Sequence, residues 1–406
     1  MLVLWFAACS VNTDPVDTAD PIFQFEQHLS AGNALESSSA EEWASLPITR
    51  EQRQRAKELA MVAHISGLQQ DRTEEVEAGL LIHGEFQLPL WFTTRGTAAF
   101  GDRPLYISLH GGGSAPPAVN DQQWQNQQSL YAPEDGIYVA PRAPTDTWNL
   151  WHRPEMDAFV DRLIEDRVAV AGADPNRVYL TGYSAGGDGT YHLAWHLADR
   201  FAAANPNAGH PNDSHPRSMG NLPITNHVGG KDAAYNRNEV ARDWGDQLDA
   251  LQADDPEGYE HHVVVHEGVP HWMNGEDAVA LPWMAQFQRR HSEDVVVWDV
   301  RGDRSGTRFY WLGLTSPEAH TGSRIRAQID GNQIQITSDP PVQGLNLWLD
   351  DKLVDLDAPV TVEHNTQVVY EAVPSRTVAA VVDSLLSDGA PFLSRTVHIQ
   401  LDSNLR

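Results

Sequence analysis

The stretch that most limits how this chain can fold is Gly182-Tyr183-Ser184-Ala185-Gly186-Gly187. It follows a strand-like run, Arg177 to Thr181, and precedes a helix-like one, Thr190 to Leu197. A chain that passes from strand to helix in so few residues strains the backbone of the turning residue, and side chains must be missing where strand and helix meet. Gly182 and Gly186 give that clearance, and Ser184 Oγ is left pointing outward. Gly-x-Ser-x-Gly between a strand and a helix is the pattern of a nucleophile elbow. An ordinary strand-to-helix turn also tolerates two glycines, but the flanking pattern favours a reactive serine.

Such a serine needs a base, an acid to orient the base, and donors for an oxyanion. Upstream, the apolar run Leu105 to Leu109 enters His110-Gly111-Gly112-Gly113, a backbone free to present N–H groups. Downstream, Ile224 to Val228 runs into Gly229-Gly230-Lys231-Asp232, which places a carboxylate just past a strand end. A further strand, Val263 to Glu267, enters the loop Gly268-Val269-Pro270-His271-Trp272. Serine, aspartate and histidine, each beyond a different strand, follow the chain order of α/β-hydrolases. The exit of another buried strand, Gly136 to Pro141, carries Trp148 and Trp151. In open α/β sheets ligands bind beyond the carboxyl ends of strands, so Trp148 and Trp151, with Trp272 beside the histidine, are candidates to line a substrate pocket. Packing against the helix expected over Glu155 to Val170 is the alternative for the first two.

On these residues the chain resembles the α/β-hydrolase superfamily over roughly residues 76–290. Within it the likeness is to the polyhydroxybutyrate-depolymerase and feruloyl-esterase-like branch, often grouped with prolyl-oligopeptidase-type hydrolases. The resemblance implies a mostly parallel sheet flanked by helices and cleavage of carboxylic esters through an acyl-enzyme. It makes Ser184 the nucleophile, Asp232 the orienting acid and His271 the general base, with the N–H groups of Ala185 and of one or both of Gly112 and Gly113 as the oxyanion hole. No metal or organic cofactor is implied. Two other readings remain open: a prolyl-oligopeptidase-like peptidase, and a surface lipoprotein whose β-rich module binds a polymer while hydrolysis is secondary.

The rest of the chain sets the frame. With 406 residues, a formal net charge of −28 and three lysines, Lys57, Lys231 and Lys352, it would be repelled by phosphate backbones, which argues against a nucleic-acid partner. The lone cysteine, Cys9, ends an apolar run and two alanines, as in the lipobox of bacterial lipoproteins. Export with a lipid on Cys9, anchoring the protein to a membrane or cell surface, is the expectation there. Residues 1–21 then read as signal and acidic tether, 22–75 as a helical lead with a capping box at Thr49 to Gln52, and 76–292 as the hydrolase domain. From 293 to 406, short alternating runs such as Phe309 to Leu312, Ile325 to Ile329 and Leu345 to Leu349 suggest a β-sandwich, with one short helix over 377–386. His261, His262 and His266 lack metal-ligand spacing and read as strand histidines. Asp188, just behind the elbow, reads as support for its helix rather than as the acid.

Overall fold

The computed structural model describes residues 18–401 apart from 302, 303, 305 and 388, so Cys9 and its surroundings lie outside the described residues. The lead begins with helices α1 (Pro21–Ser30) and α2 (Leu35–Ser38) and continues in the long α3 (Gln52–Ala78). Thr49 and Gln52 make the reciprocal capping box: Thr49 N donates to Gln52 Oε1 at 2.8 Å and Gln52 N to Thr49 Oγ1 at 3.2 Å. Gly79 at φ 63° ends α3 and turns the chain into the sheet.

Eight strands follow: β1 (Leu80–His83), β2 (Phe86–Arg95), β3 (Arg103–Leu109), β4 (Gly136–Pro141), β5 (Ala173–Tyr183), β6 (Ala203–Asn207), β7 (Ile224–Gly229) and β8 (His261–His266). Their order in the sheet is β1-β2-β4-β3-β5-β6-β7-β8. β2 runs antiparallel to β1 and β4, and the pairs from β4 to β8 are parallel. The intervening helices are α4 (Pro117–Leu130), α5 (Glu155–Ala169), α6 (Ala185–His196), α7 (Arg237–Asp254) and α8 (Ala280–Met284). Every residue of β4, β6 and β7 is buried, as expected of strands covered on both faces. The edge strand β8 is only half-buried, which is why it can carry three histidines.

Beyond Val295 the pattern changes to two smaller sheets. One has five strands, β9 (Val295–Asp299), β12 (Arg324–Asp330), β13 (Gln333–Asp339), β15 (Val360–His364) and β16 (Gln367–Ala372). The other has four, β10 (Arg308–Phe309), β11 (Leu312–Leu314), β14 (Leu345–Leu349) and β17 (Val397–Gln400). Along β12 and β13 buried and open residues alternate, so one face meets solvent. The buried faces of both sheets join the apolar cluster that also fills the large sheet.

The single strand expected over Phe309 to Leu312 is two: Tyr310 at φ 54° folds the run into the β10–β11 hairpin. The expected helix is α9 (Val378–Leu386), whose Val378, Val381, Val382 and Leu385 pack with Phe25 of α1 and Ala56 and Ala60 of α3. The far half of α3 instead clamps α5, with Arg72 on Glu165 and Arg162 on Glu75, each at 2.5 Å. The lead therefore packs both on α5, beside the large sheet, and on α9, beyond residue 295.

Candidate active site

The strand order fixes where chemistry can happen. β5 and its neighbours end at one edge of the sheet, and there Ser184 turns the chain from β5 into α6 at φ 59°, ψ −121°. This is a costly state for a residue with a Cβ, and it is held by Ser184 N donating to Asn207 O at 3.0 Å and Asp188 N to Ser184 O at 3.0 Å. The flanking glycines are obligatory: a Cβ on Gly182 would run into the Gly186 carbonyl, and one on Gly186 into the carbonyl of Leu109.

The loops after β7 and β8 bring the other two side chains to the serine. Lys231 N donates to Val269 O at 2.9 Å, tying the loops together. His271 Nδ1 lies 2.6 Å from Asp232 Oδ2, and His271 Nε2 lies 3.1 Å from Ser184 Oγ. A carboxylate only accepts, so Nδ1 carries the proton and Nε2 faces the serine hydroxyl with its lone pair. Asp232 is buried, 2 % exposed, whereas the His271 side chain is 41 % exposed. Asp188 is turned elsewhere: its Oδ1 accepts from His210 N at 2.7 Å, and burial pushes its carboxyl upward.

The His110–Gly113 loop leaves β3 beside the elbow, with Gly112 at φ 110° and Gly113 at φ 89°. The two glycines do not offer equivalent donors. Gly113 N donates to Asn120 Oδ1 at 2.9 Å, so of the two glycines it is Gly113 whose N–H is committed to the loop. Ala185 stands in the first turn of α6, where N–H groups lack intrahelical partners. Gly112 and Ala185 remain as the pair around Ser184. His110 is the loop's scaffold: its Nδ1 donates to Gly111 O at 2.6 Å and its Nε2 accepts from Ala143 N at 3.1 Å. Burial pushes His110 down to about 4, so the ring is neutral.

Trp148 and Trp151 separate. Trp148 is 62 % exposed at the mouth of the site. Trp151 does not line it: the side chain is fully buried, its Nε1 donates to His110 O at 2.9 Å, and it fills the space left by Gly189. Its indole closes the underside of the glycine loop, which a substrate cannot reach. Trp272 is 53 % exposed and packs on Tyr183, ring centroids 5.6 Å apart.

Two cavities meet at Ser184. One of about 870 Å³ is lined by His271, Trp272, Gln123, Leu130 and Tyr183. The other, about 500 Å³, is lined by Ala185, Trp148, Tyr235 and Arg237. A larger hollow, about 1080 Å³, lies between α1, α3, α5 and the chain after α9 and contains none of these residues. Among the described residues no His, Cys, Asp and Glu side chains gather in a group able to hold a metal ion.

Three residues around the serine carry no local sequence signal: Asn120, Tyr183 as a hydrogen-bonding group, and Arg237. Tyr183 OH donates to His271 O at 2.6 Å and accepts from Met273 N at 3.0 Å. Arg237 Nη1 stands 3.7 Å from Asp232 Oδ1.

The strand order, with an antiparallel β2 and a serine turn after β5, defines an α/β-hydrolase fold. No protein-family model matches the chain. In sequence it is similar to a bifunctional acetylxylan esterase/xylanase from Neocallimastix patriciarum, 27% identical over 207 residues, covering 48% of this chain and 30% of that protein. The match therefore spans less than a third of that relative. Among solved structures it is similar to a thermostable esterase (TM-score 0.41, 21% identity, 52% of this chain and 62% of that one). A poly(3-hydroxybutyrate) depolymerase from Bordetella parapertussis also matches (TM-score 0.34, 19% identity, 49% and 88%).

Proposed function

We propose that this protein is a serine hydrolase of carboxylic esters that works through an acyl-enzyme. The observation that carries the reading is the run of hydrogen bonds from buried Asp232 through His271 to Ser184 Oγ, ending on a serine held at positive φ. In this reading His271 Nε2 takes the Ser184 proton as Oγ adds to the ester carbonyl, and Asp232 stabilises the imidazolium that forms. The N–H groups of Gly112 and Ala185 hold the oxyanion, a contribution of about 2.7–4 kcal/mol per donor in sites of this kind. His271 then protonates the leaving alcohol, the serine ester remains, and a water activated by His271 releases the acid and restores Ser184. The sequence likeness to part of an acetylxylan esterase supports esters over amides as substrates.

The test is a panel of short nitrophenyl acyl esters set beside aminoacyl amides, with fluorophosphonate labelling as the active-serine readout. The wild type is expected to hydrolyse the esters and to be labelled at Ser184. Ser184→Ala should lose labelling and at least ~10³-fold in turnover while staying folded. Full ester turnover by a folded Ser184→Ala protein would overturn the assignment.

A further inference from the structure

The smaller cavity at Ser184 contains a charged group that the chemistry above does not use. Arg237 opens α7, five residues after Asp232, and is only 9 % exposed. A guanidinium has five N–H donors, yet this one is poorly met. Its Nη1 lies 3.5 Å from Ala234 O and 3.7 Å from Asp232 Oδ1, and its Nε has no hydrogen-bond partner. Arg237 Cζ stands over the Tyr235 ring, 4.8 Å from its centroid. Burying a charge with so few partners is costly, and the backbone that presents it is itself strained. Tyr235 and Asn236 are consecutive non-glycine residues at φ 56° and 57°. Strain concentrated beside a reactive serine points to a site.

The two cavities divide the substrate between them. The leaving alcohol must lie within reach of His271, which lines the larger cavity, so the acyl group extends into the smaller one past Ala185. There it meets Trp148 and Tyr235, both largely exposed, with Arg237 between them and the acid. Asp232 is a poor counterion for Arg237: the oxygen that faces it, Oδ1, stands 3.7 Å away, and the other, Oδ2, is bound to His271 at 2.6 Å. When His271 becomes an imidazolium, that carboxylate is engaged further. Asp188 lines the same cavity and its charge is felt by Arg237, but its Oδ1 is taken by the His210 N–H at 2.7 Å.

We propose that this cavity is the acyl subsite and that Arg237 selects acyl groups whose far end carries a carboxylate, that is, monoesters of short dicarboxylic acids. A carboxylate matches the planar fork of a guanidinium and can accept two of its N–H groups at once. The proposal rests on the serine-esterase reading and adds to it the class of acyl group.

The experiment compares two nitrophenyl esters of similar length, the hemisuccinate and the butyrate, on wild type and Arg237→Gln at fixed ionic strength. Both report on the same serine, so the ratio of their kcat/KM values cancels any change in the nucleophile. The wild type is expected to favour the hemisuccinate by about tenfold or more, and Arg237→Gln to lose that preference through KM. A wild type that favours the butyrate, or a preference that survives Arg237→Gln, would overturn the proposal. So would an equal loss on both esters, which would mean that Arg237 acts only by holding Asp232. Failure of the esterase reading has a different signature, namely neither ester turned over and no fluorophosphonate labelling. Calorimetric binding of glutarate then decides: binding to the wild type and not to Arg237→Gln keeps the anion subsite, and no binding to either removes it.

Discussion

Tyr183→Phe isolates the device that holds the base in place. Tyr183 sits between Gly182 and Ser184, so the residue that precedes the nucleophile also bonds to the backbone on both sides of Trp272. The His271 ring is 41 % exposed and packs edge-on against the Tyr183 ring, centroids 5.8 Å apart. Removing one hydroxyl leaves Met273 N–H without its partner in a fully buried residue, a cost of about 1–3 kcal/mol. If about 1.4 kcal/mol of that acts against the bonded position of His271, the competent fraction falls roughly tenfold. The phenyl ring that packs on Trp272 remains, so substrate contacts persist. Tyr183→Phe is therefore expected to lower kcat about tenfold with KM nearly unchanged, to slow fluorophosphonate labelling in parallel, and to lower Tm by about 2–4 °C per kcal/mol lost. The control is Tyr191→Phe, which removes a buried hydroxyl bonded to Asn226 on the far side of α6. It should lower Tm without changing kcat. Wild-type kcat in a folded Tyr183→Phe, or an equal fall in Tyr191→Phe, would refute the reasoning.

Asp232→Asn should lower kcat by about 10²–10⁴-fold with a much smaller change in KM, while Asp188→Asn should cost far less; steady-state kinetics showing the reverse would move the orienting acid to Asp188. A pH prediction follows from His110, pushed down by burial from 6.5 to about 4. Its folded form is neutral, so the unfolded chain binds the proton first as pH falls: this stability is whole above pH 6.5, is lost between 6.5 and 4, and amounts to about 2 kcal/mol lost at pH 5. Asp161, raised to about 6 by burial, works in the opposite sense, so the measurement is the difference between the wild-type and His110→Gln Tm curves from pH 7.5 to 5. The variant's curve should fall less steeply, and parallel curves would show that His110 is not titrating with unfolding.

Ser184, Asp232 and His271 could be read from the sequence because each stands directly beyond a strand that announces itself. Runs such as Ile137–Ala140 are apolar throughout since the sheet covers both their faces, and a chain that repeats strand, loop and helix has few ways to order them. The capping box at Thr49 and Gly182 of the elbow were legible for a local reason, because their partners lie within four residues. What escaped depends on contacts made at a distance. Whether Gly112 or Gly113 offers a free N–H is decided by Asn120 reaching back across the start of α4. Trp148 and Trp151 are alike in composition, and only the carbonyl of His110 decides which one is buried.

In the β-rich part the pattern was weaker because turns, not core strands, set the register. Tyr310 at positive φ broke one apparent strand into two, and β16, with no fully buried residue to mark it, went unseen. Arg237 is the extreme case. A single arginine five residues past an aspartate has no local signature, and its meaning comes from burial, an unmet Nε and a cavity shared with Ser184. The groups proposed to perform the bond chemistry thus each stand just beyond a strand whose pattern shows in the sequence. The groups proposed to choose the substrate are set by where two separate loops meet, and only the folded chain brings those together.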